Sequence, residues 1–301
     1  MDLKRLRILQ SLARHGTVAA AAESLHLTPS AVSQQLAVLA KEAGVPLLER
    51  NGRGVRLTSA AHVLLHHADA IGVQLERARA DLAAHAVGGV GSARVAGFPT
   101  AISSLLAPAV ARLRETHPGW RFSIVEHETE DAVPLLISGE LDLAVVMNSP
   151  EVPPADHPTV RLHPLVDEPV HIALPSSHPL AARKVLDLAA DLVDEEWVLT
   201  CEGTACNALT VQACGQAGFQ PRAVHWVTDF TAMYALVRAG LGIAMMPHMA
   251  AADAPPGVVL RPLTAPAPRR HLFAMVRRGS GMTPLLTELQ RVGAEVAAPS
   301  E

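Results

Sequence analysis

Ser30, Ser33, Gln34 and Gln35 follow the dipeptide Thr28-Pro29, and Arg50, Arg53 and Arg56 come shortly after them in the chain. Hydroxyls and amides at a helix start can read base edges, while guanidinium groups can hold phosphates or enter a minor groove. A second set lies further on. Thr100 follows Pro99, and Thr204 follows Cys201, Glu202 and Gly203, each where a strand is expected to give way to a helix. Helix N-termini at such places offer free N–H groups to a ligand, and the plainer alternative is that both threonines only cap helices. Cys201, Cys206 and Cys214 supply thiols; Cys206 near a helix start can act as a redox switch, with Cys201 within reach, although buried inert thiols are the commoner case. His62 and His66 have the spacing of two metal ligands. No carboxylate completes a HExxH pattern there, so a solvated face is expected and no metal.

The elements that position the first set can be read from spacing. Leu6, Leu9, Leu12 and Ala13 recur at helical intervals until His15-Gly16 stops them. Thr17 to Leu25 reads as a short alanine-rich helix that lets a neighbour approach closely. Thr28 is a cap with Pro29 at the first helical position, and Val32, Leu36 and Leu39 form the apolar face of the helix that follows. Polar residues are thereby left at its start, as in a helix that enters a major groove, though helical hairpins of other kinds share this layout. Leu47, Leu48 and ERNGRGVRL then predict a β-wing with arginines about its tip. A long helix is expected from Thr58 to Val87, with Val63, Leu64, Ile71, Leu75, Ala78 and Leu82 as an approximately heptad stripe suited to a homodimer.

Charge agrees with this division. The 301 residues carry a net charge of −4, yet residues 1–60 hold eight Lys/Arg and four acids, so +4, leaving −8 for the remainder. A small nucleic-acid module joined to an acidic larger domain has this asymmetry. With 49% apolar and 18% charged residues the chain is globular rather than disordered. No stretch is long enough to span a bilayer and MDLKRLRILQ does not read as a signal peptide, so a cytoplasmic protein is expected; three cysteines fit a reducing compartment.

From Ser92 strands and helices alternate, which predicts parallel sheet with crossover helices. Strands are expected over residues 93–97, 121–126, 141–147, 170–174, 197–200, 223–227 and 243–246. Helices are expected over 103–116, 131–138, 205–218 and 230–239. Two successive α/β units suggest two lobes. Ligands bind beyond the carboxyl ends of such strands. The expected site therefore joins Pro99 and Thr100 to Cys201, Gly203 and Thr204, with Met147 and Thr228 as walls, around a small molecule with an anionic group and without need of an arginine.

The stretch GTVAAAAESLHLTPSAVSQQLAVLAKEAGVPLLERNGRGVRLTSA, Gly16 to Ala60, resembles the LysR-type transcriptional regulators. Ala21, Ala22, Leu25, Ser33, Leu36, Leu39, Gly44, Leu47, Glu49, Arg50 and Thr58 match at fixed spacing. RVAGFPTAISSLLAPAVARLRETHPG, ISGELDLAVV and LVRAGLGIAMMP continue the resemblance through the rest of the chain. Two departures stand out: Thr28-Pro29-Ser30 replaces a common Ser-Gln-Pro, and Gln34 replaces a common basic residue, so base contacts are expected to differ from those of a typical member.

The resemblance implies a winged helix-turn-helix domain (1–58), a linker and dimerisation helix with a hinge (59–90), and a two-lobed α/β effector domain like the periplasmic binding proteins (91–301). Lobe I is expected over 91–162 and 270–301, with a C-terminal helix over 283–297 packed on it, and lobe II over 163–269. The DNA-contacting residues would be Thr28, Pro29, Ser30, Ser33, Gln34, Arg50 and Arg53. The partners would be double-stranded DNA, a small-molecule effector and a second copy or three further copies of the chain; no cofactor is expected. An enzyme or a transport-binding protein of similar architecture is the rival. No GxSxG, P-loop, Rossmann glycine pattern or metal motif supports it.

Overall fold

A computed structural model describes residues 1–51, 54–85 and 91–297. The expectations for Arg53, Val87 and the 86–90 hinge lie outside the described residues. The chain divides into two compact units, Met1–Ala78 and Arg79–Glu301, and among the described residues no helix is long and apolar enough to cross a membrane.

In the first unit, α1 (Leu3–His15) ends at Gly16, whose φ of 73° suits a residue without Cβ. α2 (Val18–Ser24) is capped by the Thr17 hydroxyl, which accepts from the Ala20 N–H. α3 (Pro29–Ala43) is capped in the same way by Thr28, at 3.2 Å from the Ala31 nitrogen. Leu9, Leu12, Ala21, Ala22, Val32, Leu36 and Leu39 fill the space between the three helices. β1 (Leu48–Asn51) and β2 (Gly54–Leu57) form an antiparallel hairpin. The Thr58 hydroxyl accepts from Ala61 N–H and donates to the Pro46 carbonyl, tying the hairpin to the start of α4 (Ser59–His85). Ala61 and Ala68 of α4 are buried in this core, whereas Val63, Ile71 and Leu82 are exposed.

In the second unit β3 (Gly91–Gly97) lies parallel to β4 (Trp120–Glu126) and to β5 (Leu143–Met147). β5 is buried on both faces, its residues dividing between two apolar clusters. Parallel pairing alone does not describe this sheet. β11 (Arg269–Arg277) runs antiparallel to β5, and the 16-residue β6 (Val160–Pro175) antiparallel to β11. Beyond Pro169, β6 continues into a second lobe, where it pairs antiparallel with β9 (Ala244–Pro247) and β10 (Val258–Pro262). β7 (Glu196–Leu199) and β8 (Arg222–Trp226) pair parallel, and a bridge from Trp197 to Ile243 joins them to β9. The mixed pattern arises because β6 and β11 are connections as well as strands.

The first helix of this unit begins at Pro99, four residues before the expected Ser103. Its turns run as α5 (Pro99–Ala101), a π-helical stretch (Ile102–Leu106) and α6 (Ala107–Thr116). Pro108 lacks an N–H for an i→i−4 bond, and a wider turn before it accommodates that loss while obscuring the 3.6-residue period. α7 (Thr129–Ser138), the single turn α8 (Leu188–Asp191), α9 (Ala205–Gln216) and α10 (Phe230–Arg238) follow. α11 (Thr283–Ala297) places Leu285, Leu286, Leu289 and Val292 in the core of the first lobe.

Candidate functional site

Each unit carries one candidate site. On α3, Ser30, Ser33 and Gln34 are exposed on one helical face beside the capped first turn, as are Thr28 and Pro29 themselves. The Thr28 hydroxyl is occupied as the cap, so its side chain organises the helix start. Gln35, one residue on, is turned back: its side-chain carbonyl accepts from Arg5 Nε at 3.0 Å, and Arg5 also meets Glu42. Arg50 is exposed on the hairpin, while Arg56 is paired at 2.5 Å with Glu49. The surface thus presents short neutral donors and acceptors on a helix, with a guanidinium on the adjacent strand.

In the second unit the carboxyl ends of β3, β4, β7 and β8 converge between the lobes, and the segments just beyond them contribute Thr100, Glu128, Thr200 and Thr228 to one cleft. Phe98, Pro99, Thr204, Cys206, Phe230 and Arg270 complete its lining, around some 310 Å³ of space open to solvent. A second pocket, some 330 Å³ when the open solvent at its mouth is counted, shares Thr200, Cys206, Phe230 and Arg270 with the first and is otherwise mostly apolar. Pro99, Thr100, Thr204 and Thr228 are therefore brought together. Met147, Cys201 and Gly203 are not in the lining. Met147 is buried behind it, its sulfur 3.9 Å from Cys206 Sγ. Gly203 has φ 84° and open space where a Cβ would be, so the turn rather than a close ligand accounts for glycine there.

The two threonine hydroxyls are already engaged. Thr204 caps α9 by accepting from Asn207 N–H at 3.3 Å, and its hydroxyl also lies 2.8 Å from the Cys201 carbonyl. Thr100, only 7% exposed, accepts from Nη2 of Arg270 at 3.2 Å. An arginine thus stands in the cleft beside Thr100, where the sequence led to the expectation of helix N-termini alone. Arg270 is 0% exposed and Glu168, its register partner across β6 and β11, 2%. Glu168 Oε1 lies 2.6 Å from Nε and 2.5 Å from Nη2 of Arg270, and Oε2 accepts from the Met249 N–H at 2.6 Å. The Phe98 ring stands 5.1 Å from the guanidinium carbon. Nη1 of Arg270 is buried with no hydrogen-bond partner among the described residues.

The surrounding groups respond to this burial. Desolvation, reinforced by Glu130 and Glu126 and opposed by Arg270, pushes the Glu128 carboxyl up to about 6. Burial raises the Cys206 thiol, with Arg270 offsetting only part of the effect. Cys201, Cys206 and Cys214 are all free thiols. Among the described residues no group of three or more His, Cys, Asp or Glu could hold a metal ion. Glu128, Thr200, Phe98, Phe230 and Arg270 were absent from the sequence-based set; Glu168 and Arg270 each stand beside a like charge in the chain, Asp167 and Arg269, so nothing in the sequence marks them as buried.

Comparison with known proteins adds to this geometry. Residues 3–62 match the family model described as "Bacterial regulatory helix-turn-helix protein, lysR family", and residues 87–297 that described as "LysR substrate binding domain". The chain is 29% identical over 286 residues to the transcriptional dual regulator GltC of Bacillus subtilis, covering 94% of this chain and 93% of that protein. A full-length OxyR from Pseudomonas aeruginosa aligns with a TM-score of 0.64 at 25% identity, over 96% of this chain and 98% of the other. Full-length CbnR in complex with its target DNA aligns with a TM-score of 0.56 at 26% identity, over 99% and 100%.

Proposed function

The chain belongs to the LysR family of bacterial regulators, and from that premise we propose that it is a sequence-specific transcription regulator controlled by a small molecule held in the interlobe cleft. It acts in the cytoplasm, without catalytic activity or cofactor, as a homodimer or homotetramer joined through α4. Residues 1–58 form its DNA-reading domain, residues 59–90 its linker, and residues 91–301 its effector domain. The supporting observation is the capped start of α3, which holds Ser30, Ser33 and Gln34 exposed on one face beside a hairpin that carries Arg50. The effector acts only through its different affinity for the two arrangements of the lobes and the dimers they belong to.

A gel shift of the purified protein on the DNA upstream of its own gene, run against random DNA and across a salt series, tests the reading. Binding to the two DNAs with equal affinity at every salt concentration counts against it. A thiol-based sensor is the other reading, favoured by Cys206 at the cleft. Its raised pKa and its methionine neighbour, rather than a cysteine, weigh on the side of a bound effector.

A further inference from the structure

We propose that the cleft takes a monocarboxylic acid with a short apolar body, its carboxylate accepting from Nη1 of Arg270 and its body lying among Val170, Leu209, Met233 and Met245. This rests on the effector reading above and names the ligand class. The guanidinium is fully buried, and two of its three nitrogens are committed, Nε to Glu168 and Nη2 to Glu168 and Thr100. Among the described residues Nη1 has no oxygen or nitrogen partner, the Cys206 thiol being the weak remaining neighbour of the guanidinium, and Arg270 lines both pockets. A buried N–H donor left unsatisfied carries a desolvation penalty that a ligand oxygen would remove. The N-terminus of the 12-residue α9 opens on the same cleft, its cap Thr204 in the lining.

Charge limits the ligand to a single negative group. Arg270 already faces Glu168, and it is the one Lys or Arg side chain among the lining residues. Glu128 is the one carboxyl there. It is faced by Arg270 from β11 and Cys206 from α9, with Glu168 beyond, and by Glu126, Glu130 and Asp131 on its own segment. A protonated Glu128 leaves room for an incoming carboxylate, and an ionised one repels it. Dianions are therefore disfavoured. The apolar residues that share this pocket with Arg270 call for a hydrocarbon body, either a small ring or a short chain, and its entry requires them to part, because the enclosed space has room for about one water.

The test is calorimetry on the full-length protein with benzoate and hexanoate, benzamide and hexanamide as neutral counterparts, and inorganic phosphate. One of the acids should bind, with its amide at least about tenfold weaker and phosphate without measurable affinity. Raising the pH from 6 to 8 should weaken acid binding by about tenfold or more as Glu128 ionises, and Glu128→Gln should remove that dependence. Arg270→Lys keeps a positive charge opposite Glu168 and should lose at least about tenfold in acid affinity. If circular dichroism shows that variant unfolded, Thr228→Trp, which narrows the cleft from its exposed rim, should abolish acid binding instead. The proposal is overturned if the amides match the acids, if phosphate binds in preference, if neither acid binds, if acid binding does not change with pH, or if Thr228→Trp leaves it intact. None of these touches the gel shift. Conversely, acid binding with no preference for any DNA would refute the regulator reading and leave the carboxylate site standing.

Discussion

Burying Arg270 with Glu168 takes two full charges out of water, and their attraction offsets that loss only while both are well hydrogen-bonded. Glu168→Ala should cost about 3–5 kcal/mol in urea denaturation, because it strands the guanidinium. Combining Glu168→Ala with Arg270→Met should cost less than the sum of the single changes. Strict additivity would show that the two side chains are not coupled. At the DNA surface, Ser33→Ala or Gln34→Ala should lose about 1–3 kcal/mol at one base position, while Arg50→Ala should weaken all sequences and flatten the salt dependence. Competition binding against single-base operator variants separates the two. The exposed start of α3 was legible because a cap, a proline at the first helical position and an apolar stripe all occur within one short segment. Arg270 was not legible as a residue of the cleft lining. Its partner lies 102 positions away, and next to Arg269, which is exposed and pairs with Asp167, it looks like one more surface charge.

Elements differ in how fully one chain satisfies them. α4 buries Ala61 and Ala68 in its own unit yet leaves Val63 at 61% and Ile71 at 43% exposure. A helix with an uncovered apolar stripe is suited to a second copy of itself. Ile71→Glu together with Leu75→Glu should convert an assembled species to monomer in sedimentation velocity; an unchanged oligomer would place the interface elsewhere. α11 shows the opposite case. An added Cβ at Gly293 would stand 2.7 Å from the Leu165 carbonyl oxygen, so the helix sits against β6 at a distance that only glycine allows. Gly293→Ala gains about 1 kcal/mol of helix propensity and should still lower the melting temperature. The boundaries of α11 were legible in the sequence, but this close approach was not, since the contact joins residues far apart in the chain. The π-helical turn before Pro108 was hidden for a different reason: it breaks the period by which helices are recognised.

The second unit, Arg79–Glu301, is assembled out of sequence order. β3, β4, β5 and the helices between them lay down most of the first lobe, β6 leaves it, the second lobe follows, and β11 and α11 return to finish the first. A chain cut before Thr283 should keep the second lobe, whose clusters contain nothing from α11, while the first lobe becomes protease-sensitive. Limited proteolysis followed by mass spectrometry reads this directly, and equal resistance of both lobes would contradict the dependence.

The same return path carries a consequence for synthesis. Domains form in order of emergence where their contacts are local, so on a translating ribosome the helices of the first unit can close early and the second lobe before the chain is complete. The sheet of β3, β4 and β5 has to wait with an apolar face uncovered until Leu285, Leu286 and Leu289 arrive after the second lobe. During that interval the nascent regulator holds a formed DNA-binding head and an unfinished sensor. Ribosome-bound chains stalled before residue 283 should therefore be captured by a hydrophobic-surface chaperone such as trigger factor, and release of full-length chains should end that capture.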